Sequence, residues 1–136
     1  MSDPFVGTWS LNPVRSSFDP NHKPRQATMR WALDADGTYM LFAAGVNAAG
    51  NSVEERPQRM RPDGVAYPVD GIPGLTSVTR RPNRNTIRAE AKREDGSLAG
   101  EGTYIVSGDG KTMTATTQGV DSQSRPFTQQ TVWDRS

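Results

Sequence analysis

Five Asp-Gly pairs punctuate the chain, at Asp36-Gly37, Asp63-Gly64, Asp70-Gly71, Asp95-Gly96 and Asp109-Gly110. Asp-Gly suits a two-residue β-hairpin, whose central positions need positive φ. Four of the pairs lie between short alternating or Thr/Val-rich runs, so the chain reads as successive antiparallel hairpins. Ten strands are expected: Phe5–Asn12, Gln26–Ala35, Thr38–Asn47, Ser52–Arg61, Val65–Val69, Leu75–Arg81, Thr86–Arg93, Leu98–Val106, Lys111–Val120 and Phe127–Trp133. No segment keeps a helical period. The connection from Pro13 to Arg25 also holds Pro20 and Pro24, and has room for one helical turn near Arg15–Phe18. A meander this long exposes its edges unless it curls shut. The expected fold is therefore all-β, an up-and-down antiparallel barrel of eight to ten strands forming one domain over residues 1–136.

Composition fits a barrel better than a solid sandwich. Leu, Ile, Val and Phe supply only 22 of 136 residues. So low a share accompanies disorder when net charge is high. Here the net charge is +1 and turns are regularly spaced, which points to a folded chain with a thin core and a partly polar interior. The same charge balance offers no field for nucleic acid or an anionic membrane, so neither is expected as a partner. The absence of cysteine excludes disulfides, thiol catalysis and thiolate metal sites. Met1-Ser2-Asp3-Pro4-Phe5 lacks the basic and apolar regions of a secretory leader. The default location is cytoplasmic, or periplasmic if a leader has been removed.

Register follows by reflecting strands through the turns. Ala27, Met29, Trp31 and Leu33 form an apolar face, and reflection through Asp36-Gly37 places Met40, Phe42, Ala44 and Val46 beside them. Ile87, Ala89 and Ala91 reflect through Asp95-Gly96 onto Leu98, Gly100, Gly102, Tyr104 and Val106. Those reflect through Asp109-Gly110 onto Met113, Ala115, Thr117 and Gly119. The result is an inner wall of very small residues, with room for a ligand or for a bulky side chain from opposite. Trp9, Trp31, Phe42 and Trp133 are the candidates to fill it. In Ser52–Arg61 either face carries charge, and Pro57 marks an edge-like or bulged segment. Reflection through Pro82–Asn85 turns Thr76, Val78 and Arg80 inward, where Arg80 needs Glu54, Glu55 or an anionic ligand as partner.

Gly7-Thr8-Trp9 opens a strand running to Leu11-Asn12 and resembles the Gly-x-Trp signature of the lipocalins and the wider calycin group. The resemblance implies that Trp9 closes one end of a barrel and that Arg135, at the end of the last strand, packs across it as a cation–π pair. The strand count resembles the intracellular lipid-binding branch. There an Arg-x-Tyr pair on the last strand grips a fatty-acid carboxylate, but here Thr131 and Trp133 stand in its place. The Gly7–Asn12 opening and the Asp109–Thr114 stretch also resemble small bacterial lipocalin-like proteins. The resemblance implies a fold with a cavity and no particular ligand.

The chemistry-bearing residues do not assemble into a catalytic set. His22 is the only histidine and lies between Pro20 and Pro24 in a connector, so it reads as a surface residue. No zinc, haem or other cofactor is implied. Glu54 and Glu55 are adjacent and point to opposite faces of a strand. None of the Asp-Gly turns has the ligand spacing of a calcium loop. The basic clusters Arg56/Arg59/Arg61 and Arg80–Arg84 are offset by acids and read as solvated surface. The expected function is non-covalent binding of a small, partly apolar molecule inside the barrel. Trp31, Phe42, Tyr104 and Met113 supply apolar walls, and Tyr67, Arg80, Gln129 and Thr131 supply orienting polar groups. The alternative is an interaction or structural module whose interior is filled by its own side chains.

Overall fold

A computed structural model describes residues 3–18, 26–47, 49–54, 57–69, 72–120 and 125–136. His22, Glu55, Arg56 and the Asp70-Gly71 pair lie outside the described residues. Eleven antiparallel strands form one sheet: β1 (Gly7–Ser17), β2 (Gln26–Leu33), β3 (Tyr39–Val46), β4 (Ser52–Glu54), β5 (Gln58–Met60), β6 (Ala66–Pro68), β7 (Thr76–Asn83), β8 (Thr86–Lys92), β9 (Leu98–Val106), β10 (Thr112–Val120) and β11 (Pro126–Arg135). The sheet order is β4-β3-β2-β1-β11-β10-β9-β8-β7-β6, and β5 also pairs with β3. This is an up-and-down barrel whose ladder is left open between β4/β5 and β6. One face carries the core, from Phe5, Trp9, Met29, Trp31, Tyr39, Leu41 and Met60 through Ile87, Val106, Met113 and Trp133.

Turn length decides which face each strand presents. At the first hairpin Asp34 N–H donates to Thr38 O and Gly37 N–H donates to Asp34 O, with Gly37 at φ +90°. This is a three-residue loop with its glycine in the left-handed region, not the two-residue turn expected. The one-residue difference pairs Trp31 with Leu41 and Met29 with Ala43. Tyr39, Leu41, Ala43 and Gly45 therefore face the core, while Met40, Phe42, Ala44 and Val46 face outward, the reverse of the sequence reading. The Asp95-Gly96 hairpin uses the same loop, with Arg93 N–H donating to Ser97 O. There a bulge beside Lys92 and Leu98 restores parity, so Ala91 meets Gly100, Ala89 meets Gly102 and Ile87 meets Tyr104 as expected. Leu98 precedes the bulge and is exposed. Met113 pairs with Val106 across the Asp109-Gly110 turn, also as expected. Asp63-Gly64 is not a hairpin: Gly64 N–H donates to Thr79 O and extends the β6–β7 pairing.

Prolines mark the irregularities. β1 continues through Pro13 to Ser17, so Arg15–Phe18 is not a helical turn. The ladder with β11 breaks after Asn12 and resumes at Ser17 opposite Gln130. Within the break Ser16 Oγ accepts from Val132 N–H at 2.8 Å, replacing the missing ladder bond. The 52–61 run divides at Pro57 into β4 and β5, and the register shifts by one residue between them. Val53 and Met60 thereby both face inward, although they have opposite parity, and Glu54 and Arg59 face outward. A second bulge lies between Arg80 and Asn83 in β7. It turns Thr79 and Arg81 inward, while Arg80 pairs with Arg88 on the outer, exposed face.

Arg81 is bonded where the ladder is open. Its guanidinium lies 2.9 Å from Asp3 Oδ2 and donates to the Tyr39 hydroxyl. The Tyr39 hydroxyl in turn donates to Asp3. Tyr39 on β3 lies one strand in from the opening, behind β5, and Arg81 on β7 lies on its other side, so this trio links the two sides with side chains instead of backbone. Burial pushes the Asp3 carboxyl up, but hydrogen bonds from Tyr39 and Phe5 N–H, with Arg81 beside it, outweigh burial and hold it below the usual 3.8. Burial first, and then the Asp3 charge, push the Tyr39 hydroxyl well above its usual 10.0.

At the same end Arg135 lies 4.2 Å from the Trp9 ring centroid, as the Gly-x-Trp resemblance implies. Its guanidinium also donates to the carbonyls of Val6, Pro4 and Gly110. Trp9 Nε1 donates to Phe5 O at 3.0 Å. Gly7 sits at φ +137°, and a Cβ there would lie 2.6 Å from Arg135 Nη1.

Two outcomes follow. Gly7→Ala loses about 1–3 kcal/mol, since it forces a left-handed backbone and displaces Arg135; urea denaturation measures the loss, and an unchanged midpoint contradicts the packing described. The Asp3 contribution is present above pH 3.8 and disappears as pH falls toward its lowered folded value. The Tyr39 contribution is present below pH 10.0 and disappears as pH rises toward its raised value. Asp3→Asn therefore flattens the acid limb of the stability profile and Tyr39→Phe the alkaline limb, read as urea midpoints against pH.

Candidate functional site: the open half of the barrel

The inner face has two unlike halves. At the sealed end Phe5, Trp31 and Tyr39 pack on one another with ring centroids 5.3–6.3 Å apart, over Trp9, Met60, Ile87 and Met113. Toward the other end two lumen-facing rows cross the sheet. One runs Gln129–Thr117–Gly102–Ala89–Thr79, and the next runs Phe127–Gly119–Gly100–Ala91–Ser77–Tyr67. In the outer row every residue remains partly or well exposed although it faces inward. Solvent reaches the lumen from this end.

Small residues here do two jobs. Some let the sheet bend: a Cβ on Gly119 would lie 2.9 Å from Ala99 O, and one on Gly45 would lie 2.4 Å from Gln26 O. Their strands approach too closely for any side chain. Gly102 instead makes room for a ring, since its Cβ would meet the Tyr104 side chain at 3.2–3.3 Å. Tyr104 lies along its own strand over Gly102 and packs edge-on to Trp31, 5.1 Å between centroids. Ala89, Ala91 and Ser77 present only short side chains on the inner face of β7 and β8.

On β1–β4 the same end opens into a cleft of about 780 Å³. It wraps the sheet edge: Leu11, Ala27, Gly45 and Val53 line it from the lumen face, and the larger part of its lining, including Gln26, Thr28, Val46 and Glu54, comes from the outer face. A smaller cleft of about 280 Å³ adjoins it on the outside, lined by Thr28, Phe42 and Pro57 among others. Arg30 lies over Phe42 there, 4.1 Å from the ring centroid.

The structure gathers some of the expected site residues and separates others. Trp31, Tyr104, Met113, Gln129 and Thr131 share the lumen face. Met113 belongs to the buried core at the sealed end. Thr131 is buried, and its hydroxyl accepts from Trp133 Nε1 at 2.8 Å and bonds Ala115 O at 3.3 Å. Tyr67 lies on the lumen face at the sheet opening, with its hydroxyl on Asp63. Phe42 and Arg80 face outward, because the three-residue loop and the β7 bulge each reversed the expected parity. They are not lumen walls. Leu11, Ala27, Gly45 and Val53 were missed as lining residues. The β2 periodicity does mark Ala27 as inward, but Gly45 and Val53 needed the true loop length. Among the described residues no three His, Cys, Asp or Glu side chains gather to hold a metal.

Fold and site together define a small, calycin-like up-and-down β-barrel with one sealed and one open end. Among solved structures the chain is similar to the fluorescent protein UnaG, at 13% identity and TM-score 0.65, with both chains covered in full. It is also similar to Rv2717c from M. tuberculosis, at 16% identity and TM-score 0.59, over 98% of this chain and 93% of that one. A third is As-p18, an extracellular fatty acid binding protein, at 11% identity and TM-score 0.56, over 98% and 97% of the two chains. These identities establish a shared fold. No family model matches the chain, and no curated protein sequence does.

Thr131→Val leaves the buried Trp133 N–H without its acceptor. The expected loss is about 1–3 kcal/mol in urea denaturation. A neutral result means that the indole finds another partner.

Proposed function

We propose that this protein binds a small, partly apolar molecule non-covalently in the open half of its barrel. The observation that carries the reading is the division of the inner face. Large aromatic side chains crowd the sealed end, while the rows toward the other end are mostly Gly, Ala, Ser and Thr, with Phe127 and Tyr67 at the two ends of the outer row, and are inward-facing and reached by solvent. The adjoining cleft, about 780 Å³, lies within the usual range of small-molecule sites. The fold likeness to As-p18 supports the same class of activity. Tyr104 and Gln129 join Leu11, Ala27 and Val53 as the residues that would meet the ligand. Trp31 forms the floor between the filled and open halves.

The filled sealed end favours a second reading, in which the barrel is a scaffold that presents its outer surface and binds no ligand. Native mass spectrometry of protein purified from its own host separates the two. The binding reading expects a retained molecule of a few hundred daltons, released on denaturation. It also expects Ala27→Trp, which projects an indole into the cleft, to lose the adduct while keeping the far-ultraviolet spectrum of the parent. No adduct, together with no change in melting temperature on adding lipids, pigments or aromatic acids, leaves the scaffold reading standing.

A further inference from the structure

We infer that the molecule held in the open half is uncharged and carries a hydroxyl or amide head, an inference that rests on the lumen-binding reading above. The first ground is charge. The two rows that line the open half contain no Lys, Arg, Asp or Glu, and neither do the lumen-facing residues of the cleft, Leu11, Ala27, Gly45 and Val53; the one charged residue lining that cleft is Glu54 on its outer face, an anion that offers another anion no counter-charge. Among the described residues the inward-facing cations of the strands are Arg135, which covers Trp9 and holds the carbonyls of Pro4, Val6 and Gly110 at the sealed end, and Arg81. Arg81 also sits at the sealed end, already bound to Asp3, the Tyr39 hydroxyl and Arg84 O. A carboxylate or sulfonate drawn into the lumen would lose its hydration and meet no counter-charge.

The second ground is unmet hydrogen bonding. Buried polar side-chain atoms nearly always find partners. Three among the described residues do not: Trp31 Nε1, Gln129 Oε1 and Arg81 Nε. Arg81 is otherwise well bonded at the sealed end. The other two belong to lumen-facing side chains. Gln129 Oε1 is an acceptor in the row of Thr117 and Gly102. Trp31 is 1% exposed, and its indole N–H is a donor beside Tyr104, whose ring lies over that same Gly102. Both groups are neutral. A hydroxyl or amide can donate to Gln129 Oε1 and can accept from Trp31 Nε1, whereas a carboxylate has no proton to donate and can meet only the acceptor need of the indole.

Two fluorescent probes with one skeleton test this. N-phenyl-1-naphthylamine is neutral, and 8-anilino-1-naphthalenesulfonate adds an anionic group to the same anilinonaphthalene. Titrated at pH 8, the neutral probe should bind with a dissociation constant smaller by roughly tenfold or more, from the missing counter-charge. Dodecanol should displace it, and dodecanoate at equal concentration should not. Gln129→Leu should weaken the neutral probe by roughly three- to tenfold, the worth of one buried hydrogen bond, with the melting temperature kept within a few degrees. Equal or tighter binding of the sulfonate or of dodecanoate overturns the uncharged-ligand inference and leaves the lumen-binding reading intact. Binding of neither probe removes both. Unchanged affinity in Gln129→Leu overturns the assignment of Gln129 as the ligand's acceptor.

Discussion

Everything in this barrel is arranged around the seal that Arg135 makes over Trp9. The first and last strands meet there, and one guanidinium covers an indole face while holding carbonyls from the N-terminal segment and from the β9–β10 turn. A cation–π contact of this kind is worth about 0.5–2 kcal/mol alone. Its greater effect is geometric. By fixing Phe5 and Trp9 at one end, it commits the large aromatic side chains to that end, and so decides where the interior is full. The Asp3–Tyr39–Arg81 trio completes the seal where backbone pairing is missing. Anything the barrel encloses must lie on the side away from both.

The turns were legible in the sequence, while the faces of the strands were only partly so. Gly37, Gly96 and Gly110 all adopt the positive φ that Asp-Gly predicts. What residue identity does not encode is whether the loop holds two residues or three, and each extra residue exchanges inside for outside. β3 was inverted for this reason, and Phe42 with it. β9 escaped because a bulge added a compensating residue. Arg80 and Arg81 are a sharper case: both are arginines, and only the β7 bulge beside Pro82 decides which one turns inward. Pro57 was more informative, because a residue without an N–H signals a break wherever the ladder needs a donor.

The candidate site was legible in outline. The run of Gly and Ala on β8–β10 did mark the thinly filled wall. Yet sequence could not separate glycines that bend the sheet, as Gly119 and Gly45 do, from one that admits a ring, as Gly102 does. That distinction depends on how closely neighbouring strands approach. Nor could Thr131 be recognised as already occupied by Trp133: residues two apart share a face in any strand, and only the packing around the indole turns its N–H back onto the hydroxyl. The unmet groups on Trp31 and Gln129 are likewise products of packing. A polar side chain announces its bonding capacity in the sequence, but whether that capacity is used depends on its neighbours.

The thin aliphatic content then has a physical explanation. A chain with 22 Leu, Ile, Val and Phe residues in 136 cannot fill a barrel of this length. It concentrates burial instead: three tryptophans, Tyr39, Phe5 and three methionines crowd the sealed end, where each large side chain covers several neighbours at once. The remaining inner surface is lined mostly by small residues that contribute little burial, with Phe127, Tyr67 and Tyr104 as its larger side chains. A barrel filled along its whole length would be more stable and would have nothing to bind with. Stability gathered at one end and space kept at the other is the arrangement expected when a site must remain open.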